Sequence, residues 1–209
     1  MNPKSTDQRH PRVVVIGGGY AGVLAANRLQ RRADVTLINP RAAFVERIRL
    51  HQLVTGSSTA TQDYADVLGT AVRLVVDAAR HIDAASRTVH LDSGAALDYD
   101  YLIYAVGSTG TVPASVPGAA EFAYPLAEFE QAERLVARLQ DVPLSAPMVV
   151  IGAGLTGIEA ASEFAEAGRN VVLVGSKLGP ALSAAGRRSV AKALSKLGVT
   201  VIEGDVSSI

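Results

Sequence analysis

The 209-residue chain contains no cysteine. This absence excludes structural disulfides, zinc sites built on thiolates and any redox-active cysteine pair. Redox chemistry in this protein would therefore require a bound cofactor.

The sequence also lacks an excess of charge of either sign, because 20 basic side chains balance 20 acidic ones. Such a chain has no global field to attract nucleic acid, and we expect no nucleic-acid partner. The first eleven residues are polar, and no later apolar run approaches the roughly 18 to 20 residues that a membrane span needs. A cytoplasmic location is predicted. With 48% hydrophobic and 19% charged residues, the composition is typical of a globular chain of one or two domains.

A glycine-rich motif near the N-terminus predicts a nucleotide site. Residues 13–16 form a short β-branched run, typical of a strand buried on both faces of a parallel sheet. Gly17, Gly19 and Gly22 follow as GxGxxG, in which the first glycine allows a tight turn, the second admits a pyrophosphate and the third permits close helix packing. The pyrophosphate would lie at the N-terminus of the next helix, and residues 35–38 complete a βαβ unit.

The same pattern occurs a second time. Residues 149–151 lead into Gly152, Gly154 and Gly157, a helix with small residues on one face follows, and residues 171–174 form the next strand. Two βαβ units predict two nucleotide sites.

The stretch between the motifs has a different pattern. Residues 72–105 are predicted to form short strands of an inserted β-meander. The last strand of this stretch, within residues 101–108, is predicted to return to the main sheet. A helix is predicted over about 126–140, and the last helix ends at Gly198 and leads into a strand over 199–202. The predicted fold class is α/β.

The order of these features resembles the two-dinucleotide-binding-domain flavoproteins of the pyridine nucleotide-disulfide oxidoreductase superfamily. Residues 44–56 (FVERIRLHQLVTG) and 152–163 (GAGLTGIEAASE) are most similar to the type II NADH dehydrogenase group. The resemblance implies an FAD-binding Rossmann-type domain with the inserted meander over residues 1–125, and a partial NAD(P)-binding Rossmann-type domain over 126–209. It also implies hydride transfer from NADH or NADPH to the flavin and on to a quinone or another small acceptor.

The resemblance also assigns the FAD contacts. Asn39 occupies the strand end where the family usually has an acidic residue on the ribose, and its amide can still bond the hydroxyls. Arg41 either reaches the phosphates or lies in solvent. His51 and Gln52 would approach the isoalloxazine together with Arg49, and His51 is either a structural hydrogen-bonding residue or a proton donor. The expected cofactor-binding residues of the first fold are Gly17, Gly19, Tyr20, Ala21, Gly22, Asn39, Arg41, Arg49, Ala79, Ala105, Val106 and Gly107.

In the second fold, the resemblance places Glu159, two residues into the helix, near the nicotinamide as a positioning residue. Gly175 replaces the acidic residue that would bind an NAD ribose and repel a 2′-phosphate. Ser176 and Lys177 could then accept NADP, and the sequence leaves both cofactors open. The expected contacts of this fold are Gly152, Gly154, Leu155, Thr156, Gly157, Gly175, Ser176 and Lys177.

Chains of this superfamily continue beyond the position of residue 209, with a closing strand for the FAD fold and a C-terminal domain for dimerisation or membrane docking. We therefore expect either a fragment of a longer enzyme or a naturally short or split gene product, with weak activity and self-association, and membrane contact only through that further part. The alternative is a non-catalytic nucleotide-binding fragment, or one half of a split enzyme that needs a partner chain. A ferredoxin or rubredoxin reductase would differ mainly in its acceptor.

Overall fold

The computed structural model describes residues 10–110 and 112–209, which form two compact units. The first unit consists of the chain up to Glu46 together with Thr61–Ser108, and the second consists of Arg47–Ala60 together with Thr109–Ile209. The predicted domain boundary at 125/126 lies within the second unit and stays a prediction.

The first unit is organised around a four-stranded parallel sheet. Its strands are β1 (Arg12–Ile16), β2 (Asp34–Asn39), β5 (Arg73–Val76) and β9 (Tyr101–Tyr104), and the helix α1 (Tyr20–Leu29) connects β1 to β2. The order of the strands in the sheet is β5-β2-β1-β9.

Both faces of this sheet are covered, which explains the continuous apolar run in β1. Val15 and Leu37 lie on one face and pack in a core with Ala26 of α1. Val14 and Ile38 lie on the opposite face, in a second core. Successive side chains of a strand point to opposite faces, so a strand between two cores must be apolar at every position.

The second core is closed by an antiparallel meander of β6 (Ala79–Asp83), β7 (Thr88–Leu91) and β8 (Ala96–Asp98). A small hairpin-like pair, β3 (Ala43–Val45) and β4 (Thr61–Asp63), precedes the short helix α3 (Tyr64–Val67) in this unit.

One strand assignment from the sequence is wrong. The sequence predicts residues 72–76 in the meander, but β5 pairs in parallel with β2 in the main sheet. Arg73 donates from Nε to Thr36 Oγ1 over 3.1 Å, and Leu74 and Val75 pack on the two opposite cores. The true first meander strand, β6, was not predicted, because Arg80 and His81 interrupt its apolar alternation.

The second unit contains a βαβαβ arrangement of β10 (Pro147–Ile151), α6 (Leu155–Glu166), β11 (Asn170–Gly175), α7 (Ala184–Lys196) and β12 (Thr200–Glu203). The three strands form a parallel sheet with the order β10-β11-β12. A 3-10 turn at Arg47–Arg49 and the helices α2 (Leu50–Thr55), α4 (Ala119–Phe122) and α5 (Phe129–Gln140) also belong to this unit.

The predicted α/β class, with two Rossmann-type sheets and an inserted meander, is confirmed. The predicted helix over 126–140 begins at Phe129, and the last strand lies one residue later than expected. Within the described residues, every helix is too short or too polar to cross a lipid bilayer.

Candidate dinucleotide sites

The first and third glycines of the N-terminal motif are required by close backbone contacts. Gly17 has a φ of +105°, which side-chain-bearing residues rarely adopt. A Cβ on Gly17 would overlap the carbonyl oxygen of Ala105, and a Cβ on Gly22 would overlap the carbonyl oxygen of Gly17. The turn therefore packs closely against both the helix that follows it and the residue after β9.

The middle glycine has a different environment. No other part of the described chain lies within 4 Å of a Cβ built on Gly19. Gly19 is the N-cap of α1, and it makes no side-chain capping bond to the helix. Open space at the Cβ position of a glycine N-cap, directly before a helix, fits a phosphate group at a positive helix end.

Asn39, at the end of β2, is tied to the glycine turn. Its side chain is buried, its Oδ1 accepts a hydrogen bond from the Gly18 amide over 3.0 Å, and its Nδ2 donates to the Arg41 carbonyl over 2.9 Å. Both ends of the amide already bond to backbone. A ribose contact from Asn39 stays a prediction, and it would have to share these atoms.

Tyr64 also supports this turn, although sequence reasoning did not identify it. Its buried hydroxyl donates to the Gly18 carbonyl over 2.7 Å. The ring packs edge-on against Phe44, which in turn packs edge-on against Tyr20 of the glycine motif. The helix start marked by Asp63, whose side chain accepts from the Ala65 amide, was the available sequence signal.

We expect Tyr64→Phe to lower the unfolding free energy of the first unit at neutral pH. We also expect it to reduce the dependence of that free energy on pH in the alkaline range. Loss of the bond to Gly18 should cost about 0.5 to 1.5 kcal/mol at neutral pH. Burial raises the pKa of Tyr64 from 10.0 to about 12, despite the opposing charge of Arg41. The parent's stabilisation is therefore complete below the unfolded pKa and is lost as the pH rises through the folded pKa.

Urea unfolding of parent and variant between pH 7 and alkaline pH measures this effect. The parent should lose stability over the interval that separates the two pKa values, whereas the variant should change less. Parallel curves for the two proteins would contradict a buried, neutral Tyr64.

The residues predicted to bind FAD lie in both units. Arg49, with His51 and Gln52, belongs to the second unit, where Arg49 Nη1 lies 3.5 Å from Gln52 Oε1. The others all lie in the first unit: Gly17, Gly19, Tyr20, Ala21, Gly22, Asn39, Arg41, Ala79, Ala105, Val106 and Gly107.

The second glycine turn repeats the geometry of the first. Gly152 has the same φ of +105°, and a Cβ on Gly157 would overlap the Gly152 carbonyl oxygen. A Cβ on Gly154 would have no other part of the described chain within 4 Å. Gly154 is the N-cap of α6 and makes no side-chain capping bond. This turn therefore also offers an open helix N-terminus to a phosphate.

The expected helix position of Glu159 was wrong. Because α6 begins at Leu155, Glu159 lies in the second turn of the helix, and the first turn contains no acidic residue. The side chain of Glu159 is exposed. The sequence interpretation began the helix too late, whereas the backbone becomes helical directly after the second motif glycine.

Gly175, at the end of β11, contacts the turn itself. A Cβ built on Gly175 would lie 2.6 Å from the Ala153 amide nitrogen and 2.8 Å from the Ala153 Cβ. The equivalent positions of the first copy carry the opposite combination, since a Cβ on Gly18 would lie 2.9 Å from the Asn39 Cβ. In each copy, only one residue of this contacting pair carries a side chain.

The loop after Gly175 is held by an acidic residue that the sequence interpretation missed. Glu203, the last residue of β12, is the register partner of Gly175. Its Oε1 accepts a hydrogen bond from the Leu178 amide over 3.1 Å. Ser176 and Lys177 lie exposed in the loop that this bond closes. The available signal was an acidic residue directly after the predicted strand over 199–202.

The segment Arg47–Ala60 is attached to the other helices of the second unit. Glu163 of α6 accepts hydrogen bonds from the hydroxyls of Thr55 and Ser57. At the other end of the segment, Arg47 Nε donates to the Ala127 carbonyl over 2.9 Å. Both ends of the segment that contains Arg49 are therefore bonded to other parts of this unit.

Comparison with known proteins identifies the same architecture. Residues 11–207 match the family described as pyridine nucleotide-disulphide oxidoreductase. The NADH dehydrogenase-like protein Rv1812c of Mycobacterium tuberculosis is 39% identical over 167 residues, covering 73% of this chain and 42% of the relative. The alternative NAD(P)H-ubiquinone oxidoreductase C1 of Arabidopsis thaliana is 27% identical over 191 residues, covering 77% and 37%.

A solved structure of NDH2 from Plasmodium falciparum in complex with NADH shares the fold, with a TM-score of 0.80 and 19% identity, covering 96% of this chain and 49% of that chain. The chain thus spans less than half the length of these relatives.

Proposed function

Because the chain belongs to the pyridine nucleotide-disulphide oxidoreductase family, we propose that it binds FAD at the first glycine turn and NADH or NADPH at the second, as part of an NAD(P)H oxidoreductase. One observation carries the proposal. In both units an open Cβ position at the middle glycine precedes a helix whose N-cap supplies no side-chain bond, at the carboxyl end of a parallel sheet.

In the first unit, the Gly19 turn and the start of α1 would hold the FAD pyrophosphate. The Gly18 amide donates to Asn39 and the Gly18 carbonyl accepts from Tyr64, and these two bonds support the shape of that turn. A pyrophosphate site favours FAD over FMN, because FMN has no pyrophosphate group for the site to bind. In the second unit, the Gly154 turn would hold the pyrophosphate of the nicotinamide cofactor, and Glu159 would help to position it.

When both are bound, the cofactors would supply hydride transfer from the nicotinamide to the flavin, with two electrons passing on to a small acceptor. The chain itself would bind and orient them. We propose a quinone-like acceptor, supported by the ubiquinone named in the Arabidopsis relative.

We expect Gly19→Ala and Gly154→Ala to separate the two sites. A methyl group at either position meets no other part of the described chain, and both residues have ordinary negative φ values, so both variants should fold. Each methyl group would occupy the space proposed for a pyrophosphate. Gly19→Ala should weaken flavin binding by more than tenfold and leave NADH binding nearly unchanged, and Gly154→Ala should do the reverse.

Flavin absorbance, fluorescence titration with NADH and chromatography of the heat-released flavin measure these effects. Each variant is the control for the other site. Release of FMN, or equal losses of both ligands in both variants, would contradict the proposal. Oxidation of NADH by a soluble quinone in the flavin-saturated protein tests the acceptor separately.

A further inference from the structure

The carboxyl end of β12 places an acidic side chain beside the strand end at which the fold binds a nucleotide ribose. In βαβ dinucleotide sites, an acid at the end of the second strand bonds the ribose hydroxyls and opposes a 2′-phosphate. That position is Gly175 here. We infer that Glu203, on the neighbouring strand, provides this selectivity and makes the second site prefer NADH over NADPH. This inference rests on the proposed nucleotide function of the second turn.

The structure excludes the usual position from this role. The methyl group of Ala153 occupies the space into which a side chain on Gly175 would have to extend, at 2.8 Å between the two Cβ atoms. Both residues belong to the edge of the sheet that faces the proposed pyrophosphate site. A negative charge at this edge must therefore come from another element.

Glu203 is positioned to supply that charge. It lies directly opposite Gly175 in the parallel register of β11 and β12. One carboxylate oxygen accepts the Leu178 amide over 3.1 Å, which directs the side chain towards the loop that leaves Gly175. The parent strand and the hydrogen bond together fix the carboxylate beside this loop.

Lys177 in the same loop has the opposite charge and would attract a 2′-phosphate. Its exposed side chain is long and flexible, so its ordering beside a phosphate would cost side-chain conformational entropy. The Glu203 carboxylate is already ordered by its bond to Leu178. The fixed charge should dominate, so that repulsion of the phosphate exceeds its attraction.

A purely structural role for Glu203, as a cap for the loop, is the competing explanation. Glu203→Gln distinguishes the two, because a glutamine oxygen can still accept the Leu178 amide while the charge is lost. Glu203→Ala removes both the charge and the bond. Glu166→Gln, at the exposed opposite end of α6, is the matched control for a lost carboxylate.

Equilibrium binding of NADH and NADPH to the full 209-residue chain, followed by nicotinamide fluorescence, tests the inference. The parent should bind NADH more tightly. Glu203→Gln should bind NADPH about tenfold more tightly than the parent does, with NADH affinity and melting temperature nearly unchanged. The change in preference should shrink at high salt, because exposed charges are screened. Glu166→Gln should behave like the parent.

An unchanged NADH-to-NADPH ratio in Glu203→Gln would overturn the inference and leave the nucleotide site standing. A ratio that changes only in Glu203→Ala, together with a lower melting temperature, would show a structural cap and also overturn it. A parent chain that binds neither dinucleotide would overturn the proposed second site, and the inference with it.

Discussion

Gly22→Ala should abolish flavin binding and destabilise the first unit. The added methyl group would overlap the carbonyl oxygen of Gly17, which is backbone and cannot move aside as a flexible side chain would. Gly17 is itself held by its bond to the Ile38 carbonyl over 2.9 Å and by its contact with Ala105. Helix α1 would have to move away from β1, and the turn would lose its shape.

Two effects of this substitution oppose each other. Alanine is intrinsically better than glycine inside a helix by about 1 kcal/mol. Overpacking in a closely packed region costs about 1 to 3 kcal/mol, and more where the neighbour is fixed backbone. The steric effect should therefore dominate, and we expect a net loss of about 1 to 2 kcal/mol of unfolding free energy.

Denaturant unfolding and flavin titration of Gly22→Ala measure the two consequences. Gly19→Ala is the matched control, since its methyl group would lie in open space three residues away. The control should lose flavin with unchanged stability, whereas Gly22→Ala should lose both. A stabilised Gly22→Ala protein that retains flavin would show that the turn is more pliable than this contact implies.

The glycine turns could be predicted from sequence because their determinants are local. The positive φ of Gly17 and the contact between Gly22 and Gly17 arise within six residues of chain. The buried strands were equally accessible, because a strand covered on both faces must be apolar throughout. For these reasons the two βαβ units appear where the sequence predicted them.

Strand pairing beyond these units depends on distant partners, and here the sequence was less informative. The edge strand β5 is mostly apolar and the meander strand β6 is largely polar, but neither pattern specifies the sheet that the strand joins. Thr36 on β2 accepts from Arg73, whereas β6 is paired with β7. No property of residues 72–83 alone specifies which sheet each strand joins.

The same limitation applies to the sites. Tyr64 reaches Gly18 from 46 residues away, and Glu203 reaches Leu178 from 25 residues away. The segment Arg47–Ala60 is separated by more than 100 residues from Glu163, which accepts its hydroxyl donors. Such lateral contacts have no fixed spacing, so the sequence motifs identify the glycines of the two turns but not the side chains that support them.

The contact between Ala153 and Gly175 should make substitutions at these two positions strongly non-additive. Gly175→Glu would introduce the acid that is usual at this strand end, and the sequence alone predicts that it should favour NADH. Its Cβ would, however, lie 2.6 Å from the Ala153 amide nitrogen. We therefore expect the single variant to lower the melting temperature and to weaken the binding of both NADH and NADPH.

Ala153→Gly should relieve this conflict. The first copy shows the compatible combination, with glycine in the turn and Asn39 at the strand end, joined by a bond of 3.0 Å to the Gly18 amide. In the double variant Ala153→Gly/Gly175→Glu, the turn amide can bond to the new carboxylate in the same way. Stability should recover, with a coupling free energy of about 1 to 3 kcal/mol between the two positions.

The charge of the new side chain can be separated from its fit. Ala153→Gly/Gly175→Asn reproduces the first copy without a charge, so it should recover stability with little change in cofactor preference. Only the glutamate version should shift preference further towards NADH, by about tenfold. Denaturant unfolding and dinucleotide titration of the parent, the single variants and both double variants complete the cycle. Additive stability losses would contradict the steric coupling, and equal preferences in the two double variants would show that a side chain at position 175 does not reach the ribose.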